Sequence, residues 1–302
     1  MAAEYRAQRS PLVQPGQIEH HIHDMTVTAA ADVPLKTLQA KLSENRQWLP
    51  IDGQSDLPIG QLVQKNSTGP LRLGYGAWRD LLLGCQFRGG DSQLITAGGR
   101  TMKNVAGYDL TKFMIGQYAV FGEPITITAR TFRRPDGALL ARFSPQIQTL
   151  NRLLPTNQRP QWAILTADAL NCGYLGNQKT LDYWRSSLQE TSLQPPPQEI
   201  IDRSLQQDID HRADLFSGPA ADRFRASVPP NRITEFVERC RPTSWAADAA
   251  FGIVVGSARA SEADQAARAC GGVVCGSAAN NSELLRRLKH AMDPNGNLQP
   301  LA

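Results

Sequence analysis

The 302-residue sequence predicts an α+β fold, because strand-like and helix-like segments alternate along it. Polarity alternates over residues 23–28 as in a half-buried strand. Leu35, Leu38 and Leu42 then mark one face of a helix, and residues 48–51 again look like a strand. Apolar residues make up 41% of the chain, which is enough for a buried core.

The rest of the N-terminal half predicts more strands around one short helix. Residues 80–88 and 92–96 form two strands joined by a turn at 89–91. Residues 108–115 form a short helix, and residues 124–133 alternate strictly, as a further strand does.

The C-terminal half has a different character, and the domain boundary is expected between Pro135 and Pro155. We assign residues 1–140 to a first domain and residues 141–302 to a second, whose tail from about residue 284 returns to the first. Ser261 is the expected N-cap of one helix. The elements predicted here are strands at 162–165, 251–255 and 273–274 and helices at 178–190, 232–239, 258–270 and 283–292.

Composition excludes several classes of protein. No run of 18 apolar residues could cross a membrane, and the N-terminus shows no apolar leader. Five scattered cysteines suit a reducing compartment better than a disulfide scaffold, so a cytoplasmic location is expected.

Positive charge and glycine concentrate in one segment. Between Lys65 and Arg134 there are ten basic and four acidic residues, and 13 of the 24 glycines lie between Gly53 and Gly122. This pattern suits an anionic ligand approached closely by main chain, or an acidic partner. A solvated arginine-rich face is the alternative. Nucleic acid is the weaker reading, because the basic residues alternate with glycines rather than with stacking aromatics.

The most specific motif is GGRTMKNVAGYDL at residues 98–110. With the segments GPLR at 69–72 and RDLLLG at 79–84 and the tail MDPNGN at 292–297, it resembles the glycolate oxidase flavin-domain subunit. That subunit belongs to the vanillyl-alcohol-oxidase-like (PCMH-type) FAD-binding family. The resemblance spans roughly residues 20–135 and the last ten. It implies an α+β PCMH-type FAD-binding domain that lacks most of its first subdomain, followed by a smaller α+β cap-like domain.

The resemblance implies FAD as cofactor and a surface of main-chain amides around it. Asp109 is expected to cap the following helix rather than to act in catalysis, and Lys103 faces either an anionic group or solvent. The cofactor contacts that the resemblance implies are Gly60, Gly69, Asn104, Gly107, Tyr108, Gly122 and Ile125.

Three features depart from the family pattern. The glycine-rich phosphate loop that should precede the strand at 23–28 is absent from the 22 residues there, whose sole glycine is Gly16. Gln61 replaces the second of two paired glycines. The family's GVI segment reads Gly122-Glu123-Pro124-Ile125, and a proline has no N–H to donate.

Two functions therefore stay open. The first is an FAD-dependent oxidoreductase subunit that oxidises glycolate or a similar 2-hydroxy acid and passes electrons to partner subunits. The second is a degenerate, flavin-free family member that acts as a structural or assembly subunit beside a flavoprotein. No catalytic residue can be named. His20, His21 and His23 lack further ligands, and Cys270 and Cys275 do not have iron–sulfur spacing, so no metal is expected.

Overall fold

The computed structural model describes residues 7–8, 12–100, 109–190, 196–216, 223–275 and 283–301. Its strands are β1 (Ala7–Gln8), β2 (Ile18–His21), β3 (Thr26–Ala30), β4 (Gln47–Trp48), β5 (Leu82–Arg88), β6 (Leu94–Gly98), β7 (Glu123–Arg130), β8 (Phe132–Arg133), β9 (Gly137–Phe143), β10 (Trp162–Thr166), β11 (Leu170–Gly176), β12 (Glu199–Arg203), β13 (Arg223–Ser227), β14 (Ser244–Asp248), β15 (Ile253–Ser257) and β16 (Val273–Val274). Its α-helices are α1 (Leu35–Ser43), α2 (Ile59–Gln64), α3 (Arg72–Tyr75), α4 (Trp78–Leu81), α5 (Leu110–Phe113), α6 (Ile147–Leu153), α7 (Gln178–Gln189), α8 (Leu205–Phe216), α9 (Ile233–Cys240), α10 (Ala260–Ala269) and α11 (Glu283–Met292).

The chain forms two compact units. Unit 1 comprises residues 1–69, 76–134 and 278–302, and unit 2 comprises residues 70–75 and 135–277. No helix of the described residues is long and apolar enough to cross a bilayer.

Unit 1 is built on a six-stranded antiparallel sheet with the strand order β1-β6-β5-β7-β3-β2. Alternate residues of its strands, including Val27, Phe87 and Ile127, pack in one core with the buried leucines of α1. The opposite face carries buried threonines, and the hydroxyls of Thr28 and Thr128 lie 3.0 Å apart across β3 and β7.

The helix predicted from the leucine stripe is confirmed as α1, but two strand predictions in unit 1 are wrong in detail. The strand expected at 48–51 is only Gln47–Trp48, and it pairs with β8 in a separate two-stranded sheet. The strand expected at 80–88 begins at Leu82, because residues 78–81 form the single turn α4. Asp80 Oδ2 accepts a hydrogen bond of 2.8 Å from the N–H of Ala77, which starts that turn.

Unit 2 is built on an eight-stranded antiparallel sheet with the strand order β12-β9-β11-β10-β14-β15-β13-β16. Helices α6, α7, α9 and α10 contribute to one apolar core with residues such as Leu139 and Phe143 of β9. Helix α8 packs on β9 and β12 and buries the charged residues Asp208 and Arg212.

Between residues 135 and 277 of unit 2, seven strands and α-helices had no sequence prediction, and one predicted cap is wrong. Helix α10 begins at Ala260 with Arg259 as its N-cap residue, so Ser261 lies inside the helix. The elements without a prediction are β9, α6, β11, β12, α8, β13 and β14.

Candidate functional site

The family-like motifs of unit 1 lie next to one another. We call residues 59–69, 98–99 and 109–125 together the motif surface. The N–H groups of Gly116 and Tyr118 donate to the carbonyls of Val63 and Gln64, at 3.0 and 3.1 Å, so the end of α2 adjoins the 116–118 turn. At the other side of this surface, Gly98 adjoins α5: a Cβ on Gly98 would lie 2.7 Å from the hydroxyl oxygen of Thr111.

The strand that leads into the KNVAGYDL segment ends in a constrained glycine turn. Gly98 has φ +70°, and a Cβ there would lie 2.3 Å from the carbonyl oxygen of Leu83. The N–H of Gly99 donates to the same carbonyl at 3.2 Å, and no atom of the described residues lies within 4 Å of the Cβ position of Gly99. Of the predicted contacts, Asn104, Gly107 and Tyr108, and with them Lys103, lie outside the described residues.

Asp109 caps α5, as the sequence predicts. Its Oδ1 accepts a 3.1 Å hydrogen bond from the backbone N–H of Lys112, and its Oδ2 lies 3.0 Å from Lys112 Nζ. Desolvation acts to raise the pKa of Asp109, but the bonds from Lys112 prevail and the pKa is lowered. Asp109 is therefore an ionised cap with a structural role.

Packing inside the protein accounts for Gly60 and Gly69. Gly60 lies in α2, its N–H donates to the carbonyl of Ala31 at 2.9 Å, and a Cβ would lie 2.7 Å from Ala31 Cβ. A Cβ on Gly69 would lie 2.6 Å from the Cβ of Asp52. The neighbouring Gln61, which replaces a family glycine, has an exposed side chain.

Packing also accounts for Gly122 and for the carbonyl of Ile125. A Cβ on Gly122 would lie 2.7 Å from the ring of Phe87. The carbonyl of Ile125 accepts a 2.9 Å bond from the N–H of Ala31. Ile125 sits where the register of β5 and β7 shifts, since Phe87 faces Pro124. The role of Gly60, Gly69, Gly122 and Ile125 in cofactor binding stays a prediction.

The turn at 116–122 closes on itself through the buried side chain of Gln117. Gln117 Oε1 accepts from the N–H of Phe121 and its Nε2 donates to the carbonyl of Gly122, both at 2.7 Å. The N–H of Val120 donates to the carbonyl of Gln117 at 2.9 Å. These bonds hold Tyr118 at φ +52° and Ala119 at φ +63°, in the left-handed region that residues other than glycine rarely adopt.

The C-terminal tail is attached to the same turn. Lys289 Nζ donates to the carbonyl of Val120 at 2.8 Å and to Asp293 at 2.6 Å. Asp293 also accepts from the N–H of Asn297 at 2.8 Å, and the Asn297 amide donates to the carbonyl of Gly90 at 2.7 Å. The bond from Lys289 lowers the pKa of Asp293. The MDPNGN motif thus fixes the tail to two turns of unit 1.

The described residues of the motif surface do not fit a flavin. A main-chain cradle needs N–H groups that are free to donate and glycines that face open space. In the 116–122 turn, the N–H groups of residues 116, 118, 120 and 121 all donate to protein. Pro124 has no N–H, and Glu123 next to it is exposed, with its carboxylate 3.9 Å from Arg88 Nε.

The other candidate groups have structural partners. His20 Nε2 lies 3.0 Å from Gln47 Oε1, and Arg100 Nη1 lies 3.1 Å from His21 Nδ1. No group of three or more metal-ligating side chains occurs in the part of the chain that the structure describes. The five cysteines are unpaired, and burial raises the pKa of the Cys85 thiol to about 12.

Both units together have the fold of a PCMH-type FAD-binding protein. Alkyldihydroxyacetonephosphate synthase in one crystal form matches with a TM-score of 0.67 and 12% identity, over 93% of this chain and 64% of that one. A second crystal form of the same enzyme matches with a TM-score of 0.65 and 11% identity, over 91% of this chain. The predicted α+β PCMH-type fold class is confirmed. No family model matches the chain.

Sequence relatives give the chain a narrower placement. Glycolate oxidase subunit GlcE of Escherichia coli (strain K12) is 32% identical over 136 residues, 44% of this chain and 39% of that protein. Mitochondrial D-lactate dehydrogenase [cytochrome] of Arabidopsis thaliana is 27% identical over 121 residues, which are 40% of this chain and 21% of that protein. Glycolate oxidase subunit GlcD of Bacillus subtilis (strain 168) is 38% identical over 64 residues, which are 21% of this chain and 14% of that protein. Each match spans less than two fifths of the relative's own length.

These matches confirm the resemblance seen in the motifs. Over about two fifths of its length the chain is similar in sequence to a glycolate oxidase subunit and to D-lactate dehydrogenases.

Proposed function

We propose that this chain is a subunit of an FAD-linked 2-hydroxy-acid oxidoreductase related to glycolate oxidase, and that it serves there as a flavin-free structural or assembly subunit. The observation that carries the proposal is the 116–122 turn. The Gln117 side chain fills the turn from inside, and the N–H groups of residues 116, 118, 120 and 121 donate to protein where a cofactor surface needs free donors.

The magnitudes favour a flavin-free role. A hydrogen bond between a main-chain amide and a charged group contributes about 1.5–3 kcal/mol. Losing three such bonds lowers affinity by at least about three decades. Rebuilding them here would require breaking the Gln117 bonds and the two N–H bonds that join the turn to α2.

A second candidate keeps the flavin. In that case the chain binds FAD, helps to oxidise glycolate or a similar 2-hydroxy acid, and passes electrons to partner subunits. The surroundings of Gly99 favour it, because no atom of the described residues lies within 4 Å of the Cβ position of this glycine in the GGRTMKNVAGYDL motif. Its contacts are those implied by the family: Gly60, Gly69, Asn104, Gly107, Tyr108, Gly122 and Ile125.

A spectrum and a titration distinguish the two candidates. We expect the purified protein to be colourless and to show neither quenching of FAD fluorescence nor heat on addition of FAD. A glycolate oxidase-type flavoprotein purified in the same way is the positive control. Flavin bands released by denaturation, or saturable binding of FAD, would establish the second candidate.

The expected setting is a complex in a reducing compartment. The five unpaired cysteines agree with a cytoplasmic location. The partners that we expect are a flavin-bearing chain and an electron-transfer chain. The names of two relatives describe them as glycolate oxidase subunits, which supports assembly with other chains.

A further inference from the structure

Unit 2 gathers basic side chains on the side of its sheet that α8 covers. We call Arg142, Arg203 and His211 the Arg203 cluster. In the antiparallel register of β9 and β12, Arg142 pairs with Glu199 and Ala138 pairs with Arg203. Ala138 lies four residues before Arg142 on the same strand. Both arginines therefore stand on the same face of the sheet. Helix α8 packs on these two strands and brings His211 to them.

Positive charge is in excess at this cluster. Arg142 Nη1 lies 3.4 Å from Glu199 Oε2, which is exposed and balances one of the two guanidinium charges. Arg203 makes no ion pair or side-chain hydrogen bond with the residues that the structure describes. Burial and then the repulsion of Arg142 lower the pKa of Arg203, against the attraction of Glu199. Glu199 thus acts on both arginines and balances only one of their two positive charges.

His211 adds an unused hydrogen-bonding group. Its Nε2 is buried without a hydrogen-bond partner in the described structure, and its ring lies 6.2 Å from that of Trp162. Burial lowers the pKa of His211 to about 4, with help from Arg203 and Arg142 and against the pull of Asp214. The ring is therefore neutral at pH 7.

We propose that Arg203, Arg142 and His211 form a binding site for a small dianionic oxyanion, with a phosphate group as the ligand. A phosphate group supplies a charge near −2 and several acceptor oxygens, which match two guanidinium groups and one imidazole. A carboxylate balances only one of these cations. The site lies within unit 2 and does not depend on whether the chain binds a flavin.

A bound dianion reverses the electrostatics around His211. The positive groups that face it are Arg203 from β12 and Arg142 from β9. On α8, Asp214 opposes them, while Asp208 is engaged by Trp162 and Arg212. A dianion between the arginines favours the imidazolium, so it raises the pKa of His211, and a ligand that stays a dianion binds more tightly as pH falls. Inorganic phosphate becomes a monoanion in the acid part of the range and loses part of this effect. Sulfate stays a dianion from pH 3 to 8. A pH dependence measured with sulfate therefore comes from His211 and not from protonation of the ligand.

The test follows the imidazole resonances of His211 by NMR from pH 3 to 8 in the full chain, with phosphate, sulfate or acetate. We expect sulfate to raise the pKa of His211 by about 1–3 and phosphate to raise it less, because phosphate is a monoanion at acid pH; acetate is expected to leave it unchanged. Arg203→Gln is expected to abolish the rise and Arg203→Lys to keep part of it. Arg259→Gln, which removes an exposed arginine of the same unit, leaves it unchanged.

Three results would overturn the proposal. The first is no saturable effect of phosphate or sulfate on the wild-type chain. The second is an equal effect in Arg203→Gln and Arg259→Gln, which would indicate nonspecific screening. The third is an acetate effect equal to that of sulfate, which would assign the cluster to carboxylates instead of phosphate groups. Native amide spectra of Arg203→Gln or Arg203→Lys establish that the variant is folded.

Discussion

Asp208→Asn is expected to lower the free energy of unfolding of unit 2 by about 3–5 kcal/mol. The Asp208 side chain is 0% exposed and that of Arg212 is 3% exposed. Asp208 Oδ1 accepts a 3.0 Å bond from Trp162 Nε1, and its other oxygen binds Arg212. Asparagine has nearly the same shape but no charge, so the buried guanidinium loses its counter-ion. Urea unfolding followed by tryptophan fluorescence measures the change.

The chain contains a matched control for this substitution. Asp264 and Arg268 of α10 have the same i,i+4 spacing at 2.9 Å, but their side chains are 34% and 73% exposed. Asp264→Asn is expected to change the free energy of unfolding by less than about 0.5 kcal/mol. Equal effects of the two substitutions would show that burial does not govern the Asp208–Arg212 pair.

Gly98→Ala is expected to destabilise unit 1 by about 2–5 kcal/mol, the second largest effect. Gly98 has φ +70°, which costs an alanine about 1–2 kcal/mol. The new Cβ would also lie 2.3 Å from the Leu83 carbonyl and 2.9 Å from Gly84 Cα. Because both obstacles are backbone atoms, the overlap adds about 1–3 kcal/mol. Thermal or urea unfolding of the variant checks the sum.

Gly16→Ala separates the two parts of that effect. Gly16 has φ +74°, close to that of Gly98, but its Cβ position has no neighbour within 4 Å among the residues that the structure describes. Its substitution by alanine should therefore cost only the conformational part, about 1–2 kcal/mol. If Gly98→Ala were no more harmful than Gly16→Ala, the close approach of Gly98 to β5 would be refuted.

Local patterns made part of the fold predictable. Leu35, Leu38 and Leu42 repeat at helical spacing and are buried in α1, and Asp109 stands where a helix needs a cap. In unit 2 the strand β11 contains Gly173, whose Cβ position is occupied by Trp162 Nε1. A glycine that makes room for a ring from the neighbouring strand weakens the strand signal in sequence, so β11 had no prediction.

The candidate site was less predictable, because its decisive contacts are tertiary. Gln117 is a polar residue in a turn, and nothing in the sequence indicates that its amide braces Phe121 and Gly122. The Asp208–Arg212 spacing suggests an ordinary exposed helix pair, and only the packing of α8 makes it buried. The family motifs singled out certain glycines as cofactor contacts but could not show which of them pack against protein.

The location of the flavin in the native complex tests the central claim most directly. The complex is captured through a tag on this chain and dissociated into its subunits under mild, non-denaturing conditions. The subunits are then separated on native gels, and flavin fluorescence is assigned to each band. We predict that the chain co-purifies with a larger flavin-bearing chain and is itself free of flavin. Flavin in the band of this chain, or its purification as a solitary monomer, would contradict the account.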